Sequence, residues 1–195
     1  MPKNQMFTEM KKAAVARLME RNPLEIARTA DVQYENGTFR LESLGKTVAV
    51  GYPSGAVAPS LAPWWELTLL HYLAQADGTP LTGRLIAFGA RKDGIARGVG
   101  FDRKAEAVIS GSVFSPEELR RRCAELGGTE IPAPADYAVR LPFLPRYPVT
   151  LQIWFADEEF AASGRLLLDE SAGHYLGMED AVTVGELLLE LIFAK

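Results

Sequence analysis

Residues 31–53 read DVQYENGTFRLESLGKTVAVGYP, and their alternating pattern indicates the fold class. Apolar and polar side chains alternate from residue 32 to residue 41, interrupted by an Asn-Gly pair at 36–37 that supplies the positive φ angles of a tight hairpin turn. A Leu-Gly turn at 44–45 then leads into a β-forming run at 47–50. The stretch therefore predicts a three-stranded antiparallel meander.

Helical periodicity appears on both sides of this meander. Apolar side chains recur at helical spacing from Met6 to Arg21, which predicts an amphipathic helix that is peripheral to the fold and ends at Asn22-Pro23. Further helices are predicted at residues 64–75, 101–109, 116–126 and 179–193, the third of them behind a capping box that begins at Ser115.

The C-terminal half adds more strands. Residues 149–155 alternate cleanly and residues 165–168 return after an acidic turn, which predicts a hairpin, whereas five prolines between 132 and 148 favour only edge or short strands there. Because strands and helices come in blocks, we predict an α+β fold in which an antiparallel sheet, made of the N-terminal meander and the C-terminal hairpin, packs with helices. The length of 195 residues fits a single domain over residues 1–195.

Composition excludes several classes of function. The net charge is −4 with a pI near 5.3, so nucleic acid is not expected as a partner. No apolar run approaches the roughly 20 residues of a membrane helix, and the N-terminus lacks the pattern of an export signal. The single cysteine excludes an internal disulfide and an iron–sulfur cluster built from this chain alone. We therefore expect a cytoplasmic protein with no contact with the membrane.

The chain has two histidines, and both lie in the tripeptide His-Tyr-Leu, at 71–73 and at 174–176. The sequences around the two copies differ, which argues against an internal duplication. His71 shares one stripe of the predicted helix with Trp64, Thr68 and Gln75. This stripe is either the solvent-exposed face of an otherwise apolar helix or the wall of a ligand-binding cleft.

His174 lies in an acidic region that contains Asp169 and Glu170, with Ser171 and Tyr175 beside it. Either these carboxylates serve a turn and a helix N-terminus, or Asp169 or Glu170 works with His174 as an acid/base pair or as metal ligands. No recognised spacing for metal ligands or for a catalytic triad is present, so we predict no metal site.

Two stretches resemble a known family and contain both tripeptides. They are WWELTLLHYLAQADGTPLTGRLIAFG, at residues 64–89, and LPRYPVTLQIWFADEEFAASGRLLLDESAGHYLGMEDAVTVGELLLE, at residues 144–190. These stretches, within a similarity from about Arg28 to the C-terminus, resemble the uncharacterised prokaryotic family named domain of unknown function 3786. The resemblance implies a prokaryotic source. Some similar proteins carry an added cysteine-rich iron–sulfur segment, and this chain departs from that pattern.

Three functions are compatible with these residues. The first is a ligand- or partner-binding accessory protein whose pocket lies between the helix at 64–75 and the segment at 169–175. The second is an enzyme that uses His174 with Asp169 or Glu170. The third is a structural protein that buries Trp64 and Trp65 in an interface with a partner or a second copy of the chain. No cofactor is identified by the sequence.

Overall fold

The computed structural model describes residues 3–112 and 115–194 and has an α+β architecture. Its helices are α1 (Lys3–Met19), α2 (Pro23–Ala30), α3 (Pro63–Gln75), α4 (Arg97–Ser110), α5 (Pro116–Glu125) and α6 (Met178–Phe193). Its strands are β1 (Gln33–Glu35), β2 (Thr38–Ser43), β3 (Lys46–Gly51), β4 (Val57–Ala58), β5 (Leu85–Ile86), β6 (Thr129–Glu130), β7 (Tyr137–Leu144), β8 (Tyr147–Trp154) and β9 (Ser163–Asp169). Short 3-10 helices occupy Phe88–Ala90 and Glu170–His174.

The N-terminal sheet confirms the predicted meander. Its strand order is β1-β2-β3-β4 with antiparallel pairing throughout, and β4 is an addition to the three predicted strands. The two hairpin turns have left-handed backbone at Asn36, Gly37, Leu44 and Gly45, with φ between 48° and 75°. This handedness matches the twist of the flanking strands, which explains why these turns fix the register.

The C-terminal sheet has the order β5-β9-β8-β7-β6, also antiparallel. The expectation that the proline-rich segment forms only edge or short strands was wrong, because β7 is an eight-residue strand with neighbours on both sides. Pro142 falls within an irregularity of the β7–β8 pairing between Leu141 and Leu144. Because Pro142 has no register partner in β8 at this irregularity, the strand tolerates a residue that cannot donate. The Pro142 carbonyl accepts a hydrogen bond of 2.9 Å from the amide of Leu44, in the turn between β2 and β3.

The N-terminal helices pack against α3. On α1, Ala14 and Leu18 are buried, and Lys11 forms a 2.7 Å ion pair with Glu66 of α3. Helix α2 was not predicted, although Asn22 caps it by accepting a 2.9 Å hydrogen bond from the amide of Leu24. The pair Asn22-Pro23 therefore ends one helix and begins another.

Helix α3 joins the two sheets. The indole nitrogen of Trp65 donates to Ser43 at 2.9 Å, and the Ser43 hydroxyl donates to the carbonyl of Phe143 at 2.6 Å. Trp65 is 4% exposed, so it serves the core and is not available to the interface proposed for it above. Within residues 3–112 and 115–194, no helix is both long and apolar enough to cross a membrane.

Candidate functional site

The two histidine tripeptides belong to a longer repeated pattern, in which an aspartate lies six residues after each histidine. The copies are HYLAQAD at residues 71–77 and HYLGMED at residues 174–180. In the structure each histidine pairs with the aspartate of the other copy. Nδ1 of His71 lies 2.8 Å from a carboxylate oxygen of Asp180, and Nδ1 of His174 lies 2.7 Å from a carboxylate oxygen of Asp77.

The tyrosines and leucines of the two copies also correspond. The rings of Tyr72 and Tyr175 stack with centroids 5.6 Å apart, and both side chains are buried. The carbonyl of Leu73 accepts a hydrogen bond from Arg21 at 3.2 Å, and the carbonyl of Leu176 accepts one from Arg91 at 2.9 Å. The two heptapeptides therefore form a locally symmetric joint between the end of α3 and the start of α6.

The two histidine–aspartate pairs differ in exposure. The side chains of His71 and Asp180 are 16% and 17% exposed, whereas those of His174 and Asp77 are 52% and 49% exposed. We call them the sheltered pair and the open pair. A sheltered ionic hydrogen bond contributes mainly to stability, while an open imidazole can also meet a ligand.

The open pair has a defined orientation. Because a carboxylate can only accept, the contact with Asp77 requires that Nδ1 of His174 carries the proton. Burial raises the pKa of Asp77, but hydrogen bonds from the Thr79 amide and from His174 outweigh it and lower that pKa to about 2. Asp77 is therefore ionised at neutral pH. Within residues 3–112 and 115–194, no protein group hydrogen-bonds to Nε2 of His174, which is the nitrogen left for a ligand.

A cavity of about 530 Å³ lies beside the open pair. This volume suits a small organic ligand. Three of the residues predicted for a site line it, namely Glu170, Ser171 and His174. Gly173, of the same 3-10 helix, also lines it. The other lining residues come from the loop after α3, from β5 and from the segment before α4: Thr79, Thr82, Ile86, Ala90, Arg91, Lys92 and Asp93.

Asp169 has a structural role, because its hydrogen bonds connect the segments that form the cavity wall. Its buried carboxylate accepts five hydrogen bonds, from the amides of Thr82, Gly83 and Ser171 and from the hydroxyls of Thr82 and Ser171. Burial raises its pKa, but these hydrogen bonds outweigh burial and hold the pKa below the ordinary value. Glu170 forms an ion pair with Arg84. The carboxylate that contacts His174 is therefore that of Asp77, and neither Asp169 nor Glu170 takes that position.

The residues predicted as one stripe of α3 have separate environments. Trp64 packs edge-on against Phe7 of α1, with ring centroids 5.7 Å apart, and the buried hydroxyl of Thr68 donates to the carbonyl of Trp64 at 2.7 Å. Gln75 is exposed at the last turn. None of Trp64, Thr68, His71 and Gln75 lines the cavity, because α1 covers one end of the stripe and Asp180 of α6 meets His71. Tyr175 is also buried, and its hydroxyl donates to the carbonyl of Thr79.

Sequence reasoning missed Asp77, Thr79 and Asp180, and it missed the role of Arg91. The equal spacing of six residues between histidine and aspartate was the available signal for both aspartates. Arg91 is 6% exposed, and its guanidinium binds both carboxylate oxygens of Asp93 at 3.0 and 2.9 Å. No sequence pattern distinguishes such a buried arginine from a solvent-exposed one.

Other features of the described chain do not involve these residues. A larger groove of about 740 Å³ lies between the two sheets, and among its lining residues are Arg40, Arg140 and Leu81. None of the residues predicted for a site lines that groove. In the part of the chain that the structure describes, no three or more His, Cys, Asp or Glu side chains are grouped so that they could hold a metal ion.

Comparison with known proteins gives a family and no activity. No curated protein and no solved structure matches the chain. One family model matches residues 22–191, which include α2 to α5, both sheets, both heptapeptides and most of α6. With most of its length covered by that model, the chain belongs to the family described as domain of unknown function (DUF3786).

Proposed function

We propose that this protein is a soluble, cytoplasmic, single-domain protein of prokaryotic origin that binds a small polar molecule in the cavity beside the open pair. One observation carries the proposal: His174 lines a cavity of about 530 Å³ and is held through Nδ1 by Asp77 at 2.7 Å, so that Nε2 is free for a ligand. An imidazole fixed through one nitrogen is pre-organised to bind through the other.

The sheltered pair supports this assignment by contrast. It has the same residue types and nearly the same contact distance, 2.8 Å, but its side chains are at most 17% exposed and His71 does not line the cavity. If the pairing were needed only to join α3 to α6, two sheltered pairs would serve. The exposure of His174 has a simple explanation if this copy also contacts a ligand.

A second candidate is an enzyme that uses His174 for acid/base chemistry. The observation that favours it is the carboxylate–imidazole arrangement itself, in which an ionised Asp77 accepts from Nδ1 and orients His174. Under this hypothesis Asp77 has the role that the sequence suggested for Asp169 or Glu170. Nε2 of His174 would take a proton from a bound substrate.

The test is to follow the imidazole of His174 by NMR while small molecules extracted from cells of the source organism are added. We expect some fraction to shift the Nε2-coupled signals of His174 and to raise the melting temperature, and we expect His174→Ala to abolish both effects. His71→Ala is the matched control, and it should keep binding at a temperature at which the variant is folded. If His174→Ala retains full binding, the cavity is not the site.

Asp77→Asn separates the two candidates. The amide keeps the shape of the side chain but removes the negative charge that accepts from Nδ1 of His174. A binding protein should lose at most about tenfold in affinity, the equivalent of about 1.4 kcal/mol. An enzyme should retain binding of its substrate while turnover falls by about 10² or more.

A further inference from the structure

The hydrogen-bonding capacity of the cavity identifies the kind of molecule that fits it. We infer that the ligand is a neutral, hydroxyl-rich molecule of about monosaccharide size, which donates hydrogen bonds to the wall. This inference rests on the proposed function, since it concerns the ligand of the same cavity.

The hydroxyl hydrogens of two residues in the cavity wall already form hydrogen bonds within the protein. Thr82 and Ser171 donate theirs to Asp169, at 3.1 and 2.7 Å. A hydroxyl group has one hydrogen and two lone pairs, so these residues can offer a ligand only lone pairs. Thr82 has one lone pair left, because its oxygen also accepts from the amide of Arg84 at 3.1 Å. The Thr79 hydroxyl oxygen lies 3.1 Å from Nδ1 of His174, and since that nitrogen carries the proton, this hydroxyl can only accept from the ring.

The imidazole adds another acceptor. Since Nδ1 of His174 donates its proton to Asp77, Nε2 of the neutral ring has a lone pair and no hydrogen. The wall therefore presents acceptors from His174 and Thr82. A ligand that satisfies them must supply N–H or O–H groups, which sulfate-like and fully ionised phosphate groups lack.

The charges around the cavity are mostly paired. Arg91 holds Asp93 through two hydrogen bonds of 3.0 and 2.9 Å, and Arg84 forms an ion pair with Glu170. The remaining guanidinium nitrogen of Arg91, Nη1, is buried, so it is not exposed to a ligand in the cavity. Lys92 is exposed and lines the cavity, and no carboxylate of the described chain pairs with it.

One exposed ammonium group is a weak basis for binding an anion, and it also repels a cation. Anion sites normally combine several donors, such as a bidentate arginine or a series of backbone amides. Here the arginines are occupied, and the amides of Thr82, Gly83 and Ser171 point at Asp169. A neutral ligand with several hydroxyl groups is the class that matches both the acceptors and the paired charges.

The experiment uses four probes that share a six-carbon skeleton and differ in charge: D-glucose, D-gluconate, D-glucose 6-phosphate and D-glucosamine at neutral pH. Binding to the full chain is measured from the chemical shifts of the His174 imidazole and by calorimetry. We expect glucose to bind with a dissociation constant at least fivefold lower than those of the three charged probes. Tighter binding of any charged probe would overturn the inference about ligand class and leave the proposed binding site intact.

Two variants test the assignment of the wall. Lys92→Ala should change glucose affinity by less than about twofold, because a neutral ligand gains little from one exposed charge. Thr82→Val keeps the shape of the side chain but removes both the acceptor and the hydrogen bond to Asp169. It should weaken glucose binding about tenfold, whereas Thr82→Ser, which keeps the hydroxyl, should restore it. A large loss with Lys92→Ala would point to an anion and refute the inference. If none of the four probes moves the His174 signals, the inference about ligand class fails, and the titration with cell extracts alone decides whether the cavity binds a small molecule.

Discussion

The sheltered pair should contribute more to stability than the open pair, although the two have the same chemistry. A double-mutant cycle measures each coupling, with His71→Ala and Asp180→Ala for one pair and His174→Ala and Asp77→Ala for the other. The sheltered contact, 2.8 Å between groups that are 16% and 17% exposed, should be worth about 1.5–3 kcal/mol, the range for a hydrogen bond to a charged group. The open contact of 2.7 Å, with groups 52% and 49% exposed, should be worth less than about 1 kcal/mol because water and salt screen it.

Urea unfolding followed by circular dichroism at pH 7 gives the free energy of unfolding of each variant, provided that the slope with denaturant is unchanged. The cycle cancels effects that belong to one residue alone, such as the lost packing of an imidazole or the position of Asp180 in the first turn of α6. Repeating the open cycle in 1 M salt should bring its coupling close to zero. An open coupling equal to or larger than the sheltered one would refute the assignment of different roles.

Three further predictions concern single residues. The pKa of Asp77 is lowered from 3.8 to about 2, so its ionisation should stabilise the fold above about pH 4, and this contribution should disappear as the pH falls through about 2. Acid unfolding of the wild type and of Asp77→Asn measures the contribution. Identical pH profiles of the two proteins would contradict the prediction. Burial raises the pKa of the Cys123 thiol to about 11. A thiol reagent at pH 8 should therefore label the folded protein at least 100-fold more slowly than the urea-unfolded chain. Equal labelling rates would show that the thiol is accessible in the folded protein. Gly185→Ala should destabilise the protein by about 1–3 kcal/mol, since the new Cβ would lie 2.1 Å from the Phe101 ring. The control Gly100→Ala has no atom within 4 Å of its new Cβ, so it should be neutral or stabilising. Thermal unfolding of both variants measures the two changes in stability.

Local chemistry explains which elements could be predicted. The Asn-Gly and Leu-Gly turns require left-handed backbone, and the alternation of residues 38–43 places Phe39 and Leu41 on one buried face, so the meander could be predicted from residues close in the chain. The capping box of α5 has the same character, because the Ser115 hydroxyl accepts from the amide of Glu118 at 3.2 Å. In each case the deciding interaction joins residues within a few positions of each other.

Where prediction failed, the deciding interaction was distant in sequence. Strand β7 accommodates Pro142 at an irregularity of its pairing with β8, and the β2–β3 hairpin donates to the carbonyls around it, including the Ser43–Phe143 hydrogen bond of 2.6 Å across 100 positions. Helix α2 was missed for a different reason: Asn22-Pro23 was interpreted only as a helix end, although asparagine at the N-cap and proline at the first position equally favour a start. The polar stripe predicted on α3 does not form one surface, because Trp64 contacts α1 and His71 contacts α6. The periodicity of α3 alone could not predict these contacts.

The candidate site also combines residues that are close in sequence with a residue that is distant in sequence. The positions of His174, Glu170 and Ser171 beside one cavity agree with their closeness in the chain. Asp77 joins them from 97 positions away, and a six-residue spacing cannot bring His71 and Asp77 together because α3 ends between them, at Gln75. Each histidine therefore pairs with the aspartate that ends the other heptapeptide, His71 with Asp180 and His174 with Asp77.

Two heptapeptides with the same four residue types, His-Tyr-Leu and the final Asp, thus have two different environments, and the difference lies in the local structure around each histidine. His71 is in the regular part of α3, where the helix fixes its direction and α6 packs over it. His174 ends a short 3-10 helix between Gly173 and the α6 N-cap Gly177, so less of the chain covers it. A joint made of two pairs of the same residue types can leave the open pair exposed because the sheltered pair still holds α3 to α6. That redundancy is what would allow His174 to exchange water for a ligand without loosening the fold.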